Sequence, residues 1–169
     1  TNRGEWLRRK RKGYVKIHVA VETQTKQAVG LEVSDEQTHD SEKLVPLVLC
    51  ALKKGIKVNK VLADCGYDTK ANFAFLASQK IEAGIKVRKG SNPQCEGLRG
   101  EVVGAYLSDP CGWKQGVGYG YRWMAESFFS GFKRLYGEVV QARKRERIVQ
   151  ELRLKVWVYN LLMGLTVSG

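Results

Sequence analysis

The chain has 169 residues, 43% hydrophobic and 9% aromatic, which is enough for one domain with a core and excludes disorder throughout. Lys and Arg number 29 against 17 acidic residues, a formal net charge of +12 that makes an anionic polymer the leading partner, nucleic acid before a membrane surface. The most hydrophobic stretch, Val156 to Val167, is about 12 residues long and interrupted by Asn160, short of the roughly 20 residues of a membrane span, and it reads as a buried helix.

Residues 1 to 12 form a basic arm with Arg3, Arg8, Arg9, Lys10, Arg11 and Lys12, either a solvated segment or a phosphate clamp. The arm has no apolar segment of a signal peptide, so an intracellular location is expected. The chain opens on Thr1 and its methionines are Met124 and Met163 alone, so the translation start is expected upstream. Val15, Ile17, Val19 and Val21 alternate with Lys16, His18 and Ala20, the pattern of a strand with one buried face. Val29, Leu31 and Val33 repeat it after a polar turn, which predicts a hairpin.

Asp40 precedes Leu44, Leu47, Val48 and Ala51 at helical spacing and suits an N-cap, with the helix ending near Gly55. Val58 to Ala63 reads as a short strand closed by Asp64-Cys65-Gly66-Tyr67, followed by a helix from Lys70 to Gln79 with Phe73, Leu76 and Ala77 on one side. Ile85 to Val87 suggests another strand. Residues 88–118 are rich in Gly, Pro, Ser and charge without a clear period, which reads as a long loop or insertion. Helices from Tyr119 to about Tyr136 and from about Glu146 to Met163 close the chain. Cys50, Cys65, Cys95 and Cys111 form no Cys-x-x-Cys pair and read as plain thiols. The order predicts one α/β domain over residues 1–169, a mixed sheet flanked by helices.

The most informative segment runs from Tyr119 to Lys133. At about 100° per residue, Tyr119, Arg122, Glu126 and Lys133 fall within an arc of about 60°, while Tyr121, Met124, Phe128, Phe132 and Leu135 gather opposite as a core face. Spacing alone leaves the row open as a surface ion-pair stripe or a functional face. Asp64 at a strand end is by itself readable as a turn residue, although ligands of α/β sheets also gather at the carboxyl ends of strands.

The row matches the Tyr-x2-Arg-x3-Glu-x6-Lys signature of bacterial and archaeal insertion-sequence transposases of the DDE type, whose glutamate is the last of three catalytic carboxylates. Val61 to Asp68 resembles the Ala-Asp-x-Gly-Tyr segment that carries the middle aspartate. Lys16 to Val21 resembles the family's Lys-Leu-His-x-Ala-Val strand, and Thr38-His39-Asp40-Ser41 resembles the start of the helix that follows it. The resemblance implies an RNase H-like fold in which carboxylates meet around two magnesium ions, or manganese in their place. Asp64 and Glu126 are then catalytic metal ligands. Arg122 and Lys133 contact DNA phosphates, or only pair with Glu126; Tyr119 positions a backbone or displaced base, or only packs at the helix start.

The implied partners are duplex DNA, as transposon ends and target, and a second copy in a homodimer of the complete protein. No membrane is implied, and the location is cytoplasmic and nucleoid-associated. The family's first aspartate, within an Asp-x-Thr-Gly-like segment, has no match: the aspartates are Asp35, Asp40, Asp64, Asp68 and Asp109. Glu22 and Asp35 flank the hairpin and do not replace it. The expectation is therefore a partial catalytic domain lacking its first strand, poorly stable and inactive alone. Two alternatives stand beside it. One is an RNase H-like nuclease that cuts without strand transfer. The other is a non-catalytic DNA-binding remnant, in which the arm and Arg143, Lys144, Arg145 and Arg147 hold phosphates.

Overall fold

Alternating side chains at the start of the chain produce the expected hairpin in the computed structural model, which describes residues 15–167. The basic arm, with Arg8, Arg9, Lys10, Arg11 and Lys12, lies outside the described residues. Strand β1 (Val15–Val21) pairs antiparallel with β2 (Ala28–Asp35), Ile17 opposite Val33 and Val19 opposite Leu31, with a bulge at Ala20 and Val21. One buried face was expected on β1, on the Val and Ile side. Instead its single fully buried residue is His18, on the other side, because helices cover both faces of the hairpin.

Helix α1 (Leu44–Lys53) lies on the face of Ala20 and Gly30. A Cβ at Gly30 would sit 2.9 Å from the Leu47 carbonyl oxygen, so glycine lets the helix backbone approach the strand. Asp40 is not its N-cap. It opens a 3-10 turn (Asp40–Lys43) whose cap position is His39, without a side-chain cap bond, and its carboxylate turns to Lys16 at 3.4 Å.

The second half is a β-α-β unit. Strand β3 (Lys60–Ala63) runs parallel to β4 (Glu82–Ile85), and α2 (Lys70–Ser78) makes the crossover, capped by the Thr69 hydroxyl accepting from the Asn72 N–H. Phe73, Leu76, Ala83 and Ile85 form its core with Leu44 and Val48 of α1. Two 2-stranded sheets thus replace the single mixed sheet expected from the sequence, since β1 and β3 share no ladder among the described residues.

Residues 88–118, read as a loop or insertion, carry two helices, α3 (Leu98–Ser108) and α4 (Pro110–Gly116). Their apolar pattern is faint because α3 buries only Gly100, Val102 and Val103, and α4 buries none. Asp109-Pro110 was nevertheless a legible start, the carboxylate accepting from the Gly112 N–H at 2.9 Å with proline in the first turn.

A 3-10 turn (Tyr119–Arg122) leads into α5 (Trp123–Tyr136), and α6 (Arg145–Val167) packs along it. Phe128 and Phe132 of α5 enclose Tyr159 and Val156 of α6 with Ala28. Gly131 makes this closeness possible, since a Cβ there would lie 2.6 Å from the Tyr159 hydroxyl. Tyr121 and Leu135, assigned above to the core face of α5, are exposed. Helix α6 also departs from expectation: Leu152, Val156 and Tyr159 are buried, but Leu154, Trp157, Leu161 and Leu165 are 50 to 73% exposed. A helix packed from one side buries one stripe, however apolar the other. No described helix is long and apolar enough to cross a membrane.

Asn160, the polar break in that helix, has a structural reason. Its carboxamide accepts from the Ala28 N–H and donates to the Ala28 carbonyl, each at 2.8 Å, and so completes the hydrogen bonding of a buried strand residue. Asn160→Leu leaves both groups unpaired, and urea unfolding is expected to show a loss of about 1–3 kcal/mol.

Candidate active site

Asp64 follows the last residue of β3, at the carboxyl end of the parallel pair. It caps the 3-10 turn Cys65–Tyr67, its Oδ1 accepting from the Gly66 N–H at 2.8 Å, and remains exposed. Glu126 stands in the first turn of α5, where the helix dipole favours an anion, with its side chain 62% exposed. Arg122, one turn earlier, donates to it. Asp64, Glu126 and Arg122 line one cleft of about 940 Å³.

The same cleft is lined by Asp40, Lys16 and His18. Lys16 donates to the Thr38 carbonyl at 2.9 Å besides reaching Asp40, while the Asp35 carboxylate accepts from the Thr38 N–H and hydroxyl. These contacts fix the turn that presents Asp40. Sequence reading gave Asp40 only a capping role; its place on the cleft comes from Lys16 across the hairpin. His18 bonds Ser34 Oγ at 2.8 Å, and burial pushes its pKa down, outweighing the nearby Asp40 carboxylate, so the ring is neutral near pH 7. The Tyr67 hydroxyl, on the same cleft, is pushed up to about 12 by burial and by the Asp40 and Asp64 charges.

The remaining residues of the helical row are less closely gathered. Tyr119 is half-buried, its ring 5.7 Å from that of Trp113 and 5.9 Å from the Arg122 guanidinium carbon. Its pKa is raised by burial, with Arg122 opposing and Asp64 adding to the shift. Lys133 does not line the cleft and pairs with Glu138 at 2.8 Å. Arg143, Lys144 and Arg145 are exposed around the start of α6, also outside the cleft.

Asp68 was missed as a structural centre. Its side chain is 0% exposed and meets Arg99 in a two-point contact, Nε to Oδ1 at 2.6 Å and Nη2 to Oδ2 at 3.1 Å. Burial alone would raise its pKa, but Arg99, the Arg88 N–H and the Ser91 hydroxyl hold it below the ordinary value. Only Arg99, on an unrecognised helix, could have signalled the pair.

Two exposed carboxylate oxygen donors on a solvated cleft suit a magnesium ion, which keeps several waters and needs few protein ligands. Among the described residues, no three His, Cys, Asp or Glu side chains converge closely enough to hold a metal. The molecule is thus a basic mixed α/β protein with carboxylates and cations on one cleft between two small sheets. A family model described as Transposase DDE domain matches residues 3–161, and the chain belongs to that family. No solved structure matches it.

The backbone just before the exposed basic cluster is held by Glu151 of α6. Its carboxylate accepts from the Ala142 N–H at 2.8 Å and the Gln141 N–H at 3.0 Å, and pairs with Lys155 at 2.7 Å. Lys155 first, then the two N–H groups, lower its pKa from 4.5 to about 2. A depressed carboxylate stabilises the folded state above its unfolded pKa and loses that contribution as pH falls through the folded one. Urea midpoints are therefore expected to fall between pH 4.5 and about 2. In Glu151→Gln this component of the acid dependence is expected to vanish, with lower stability at neutral pH.

Proposed function

We propose that the chain is the catalytic domain of an insertion-sequence transposase, with Asp64 and Glu126 as metal ligands for DNA strand cleavage and strand transfer. The observation that carries this reading is that the carboxyl end of β3 and the first turn of α5 bring Asp64 and Glu126 to one cleft. Bound there, magnesium would activate an attacking water or 3′-hydroxyl and neutralise charge on the leaving oxygen. Arg122 donates to Glu126, and it would be released to a DNA phosphate if that carboxylate served as a metal ligand. Lys133 and the basic cluster Arg143, Lys144 and Arg145 hold phosphates farther along the duplex, and Tyr119 supports Arg122 and orients the backbone or a displaced base.

The RNase H-like reading of the fold draws support from the same cleft. It is bounded by the residues of β1 on one side and of β3 on the other, and among the described residues neither strand pairs along that edge. One extended segment between them would join the two sheets into one mixed sheet, and an aspartate on it would supply a third carboxylate. The residues 1–169 contain no Asp-x-Thr-Gly-like segment, so the polypeptide by itself is proposed to bind magnesium weakly and to cut little. The transposase is proposed to work as a cytoplasmic, nucleoid-associated homodimer on transposon ends and target DNA.

A non-catalytic DNA-binding role is favoured by one observation, the lack of a three-ligand cluster among the described residues. Manganese titration followed by water-proton relaxation separates the two. The expected result is weak binding that falls at least about tenfold in Asp64→Asn and in Glu126→Gln; indifference to both substitutions supports the DNA-binding reading instead. For DNA, replacing Arg143, Lys144 and Arg145 by Ala is expected to weaken binding to all sequences and to reduce the slope of log affinity against log salt by roughly two to three. An unchanged slope would remove the cluster from the interface.

A further inference from the structure

We propose that Asp68 and Arg99 form a positioning pair that fixes the backbone carrying Asp64, and that the start of the 88–118 stretch thereby controls metal binding at the cleft. The inference rests on Asp64 being a metal ligand. Among the described residues the Asp64 carboxylate has one hydrogen-bond partner, the Gly66 N–H, so its place depends on the backbone either side of it.

On the upstream side, the ladder between β3 and β4 continues one step beyond the strands, the Lys86 N–H donating to the Ala63 carbonyl at 3.1 Å. Two residues on, the next N–H of that edge, Arg88, would need a carbonyl from a strand that has turned away into a 3-10 turn. It finds the Asp68 carboxylate, Oδ2 at 2.9 Å. The Arg88 side chain then donates from Nε to the Cys65 carbonyl at 3.1 Å. Lys86 and Arg88 thus grip the chain immediately before and after Asp64. Asp68 is the group that allows the second grip.

Asp68 could not do this alone, because a fully buried carboxylate needs its charge met. Arg99 supplies two donors from α3, and the Ser91 hydroxyl adds a third at 3.2 Å while itself accepting from Arg99 Nη2 at 3.1 Å. A buried ion pair gives weak net stability compared with an apolar pair of the same volume, but its geometry is specific. The arrangement therefore restricts the conformation of the Cys65–Thr69 backbone more than it deepens the core. Loss of the pair should loosen Asp64 out of proportion to the stability lost.

The test uses the full chain. Asp68→Asn, Arg99→Lys and the milder Ser91→Ala are compared with Asn160→Leu, a destabilising change on α6. Amide exchange of residues 65–69 and manganese binding by water-proton relaxation are measured, with unfolding curves for each variant. Asp68→Asn and Arg99→Lys are expected to speed exchange at 65–69 and to lower manganese affinity about tenfold. Ser91→Ala is expected to lie between them and the unchanged chain, and it keeps the test available if the first two do not fold. Asn160→Leu should leave affinity unchanged at matched folded fraction. Affinity and exchange in Ser91→Ala and the folded pair variants no different from Asn160→Leu would overturn the proposal. If manganese binding ignores Asp64→Asn, the metal reading fails and takes this control of metal binding with it; persisting faster exchange at 65–69 would identify that case.

Discussion

A parallel ladder lasts only while both strands remain extended, and in this protein one of them must stop where its last residue is needed for something else. Strand β3 ends at Ala63 and the chain tightens at once into a 3-10 turn, so the carboxylate of Asp64 leaves the sheet at its carboxyl edge. The opposing edge runs on to Arg88, where a side-chain carboxylate takes the place of the missing backbone carbonyl. Burying that carboxylate calls for Arg99, and Arg99 calls for a helix in a stretch of weak apolar pattern. The placement of α3 follows from this charge requirement as much as from Val102 and Val103.

Charge organises the cleft as well. Several cations on or near it are held by carboxylates: Lys16 by Asp40, Lys60 by Glu82, Arg122 by Glu126, and Lys133, farther along α5, by Glu138. These pairs lie at partly exposed positions, where an ion pair contributes about 0–1 kcal/mol and exchanges partners readily. On the proposed function, a phosphate in the cleft would compete for Arg122, and Glu126 would then be available as a metal ligand. The paired state is then a resting arrangement that keeps both partners in place. The surplus positive charge is carried by exposed side chains such as Arg143, Lys144 and Arg145, which suits a sequence-independent attraction to a polyanion.

The elements and their order were largely legible because alternation and helical spacing are local properties. Val15 to Val21, the helix at Leu44, the strand before Asp64 and the helix bearing Glu126 were all found within a few residues. The family was legible from the fixed spacings of Tyr119, Arg122, Glu126 and Lys133 together with the Asp64 segment, and the family match agrees. What failed depended on tertiary neighbours. Helix α6 looked buried because periodicity cannot say how many sides of a helix are covered. His18 looked like the exposed phase of a strand because nothing local announces a helix on each face. Asp40 looked like a cap because Lys16, 24 residues away, cannot be paired with it from the sequence. For Asp68, its four donors come from residues 88, 91 and 99, inside a segment that local pattern left unassigned.

The two cores and the cleft divide stability from chemistry. One core binds β3, β4 and the first three helices, and the other binds the hairpin to α5 and α6. The carboxylates belong to both halves, Asp64 to the first and Glu126 to the second, with Asp40 brought to the cleft by Lys16 of the hairpin. Packing within a half therefore fixes each carboxylate relative to its own elements, whereas the separation of Asp64 and Glu126 depends on contacts between halves, such as α1 seated on the hairpin where Leu47 meets Gly30. The cleft between the two sheets is therefore where elements of both cores meet, and it is the one place where Asp64 and Glu126 face common space among the described residues.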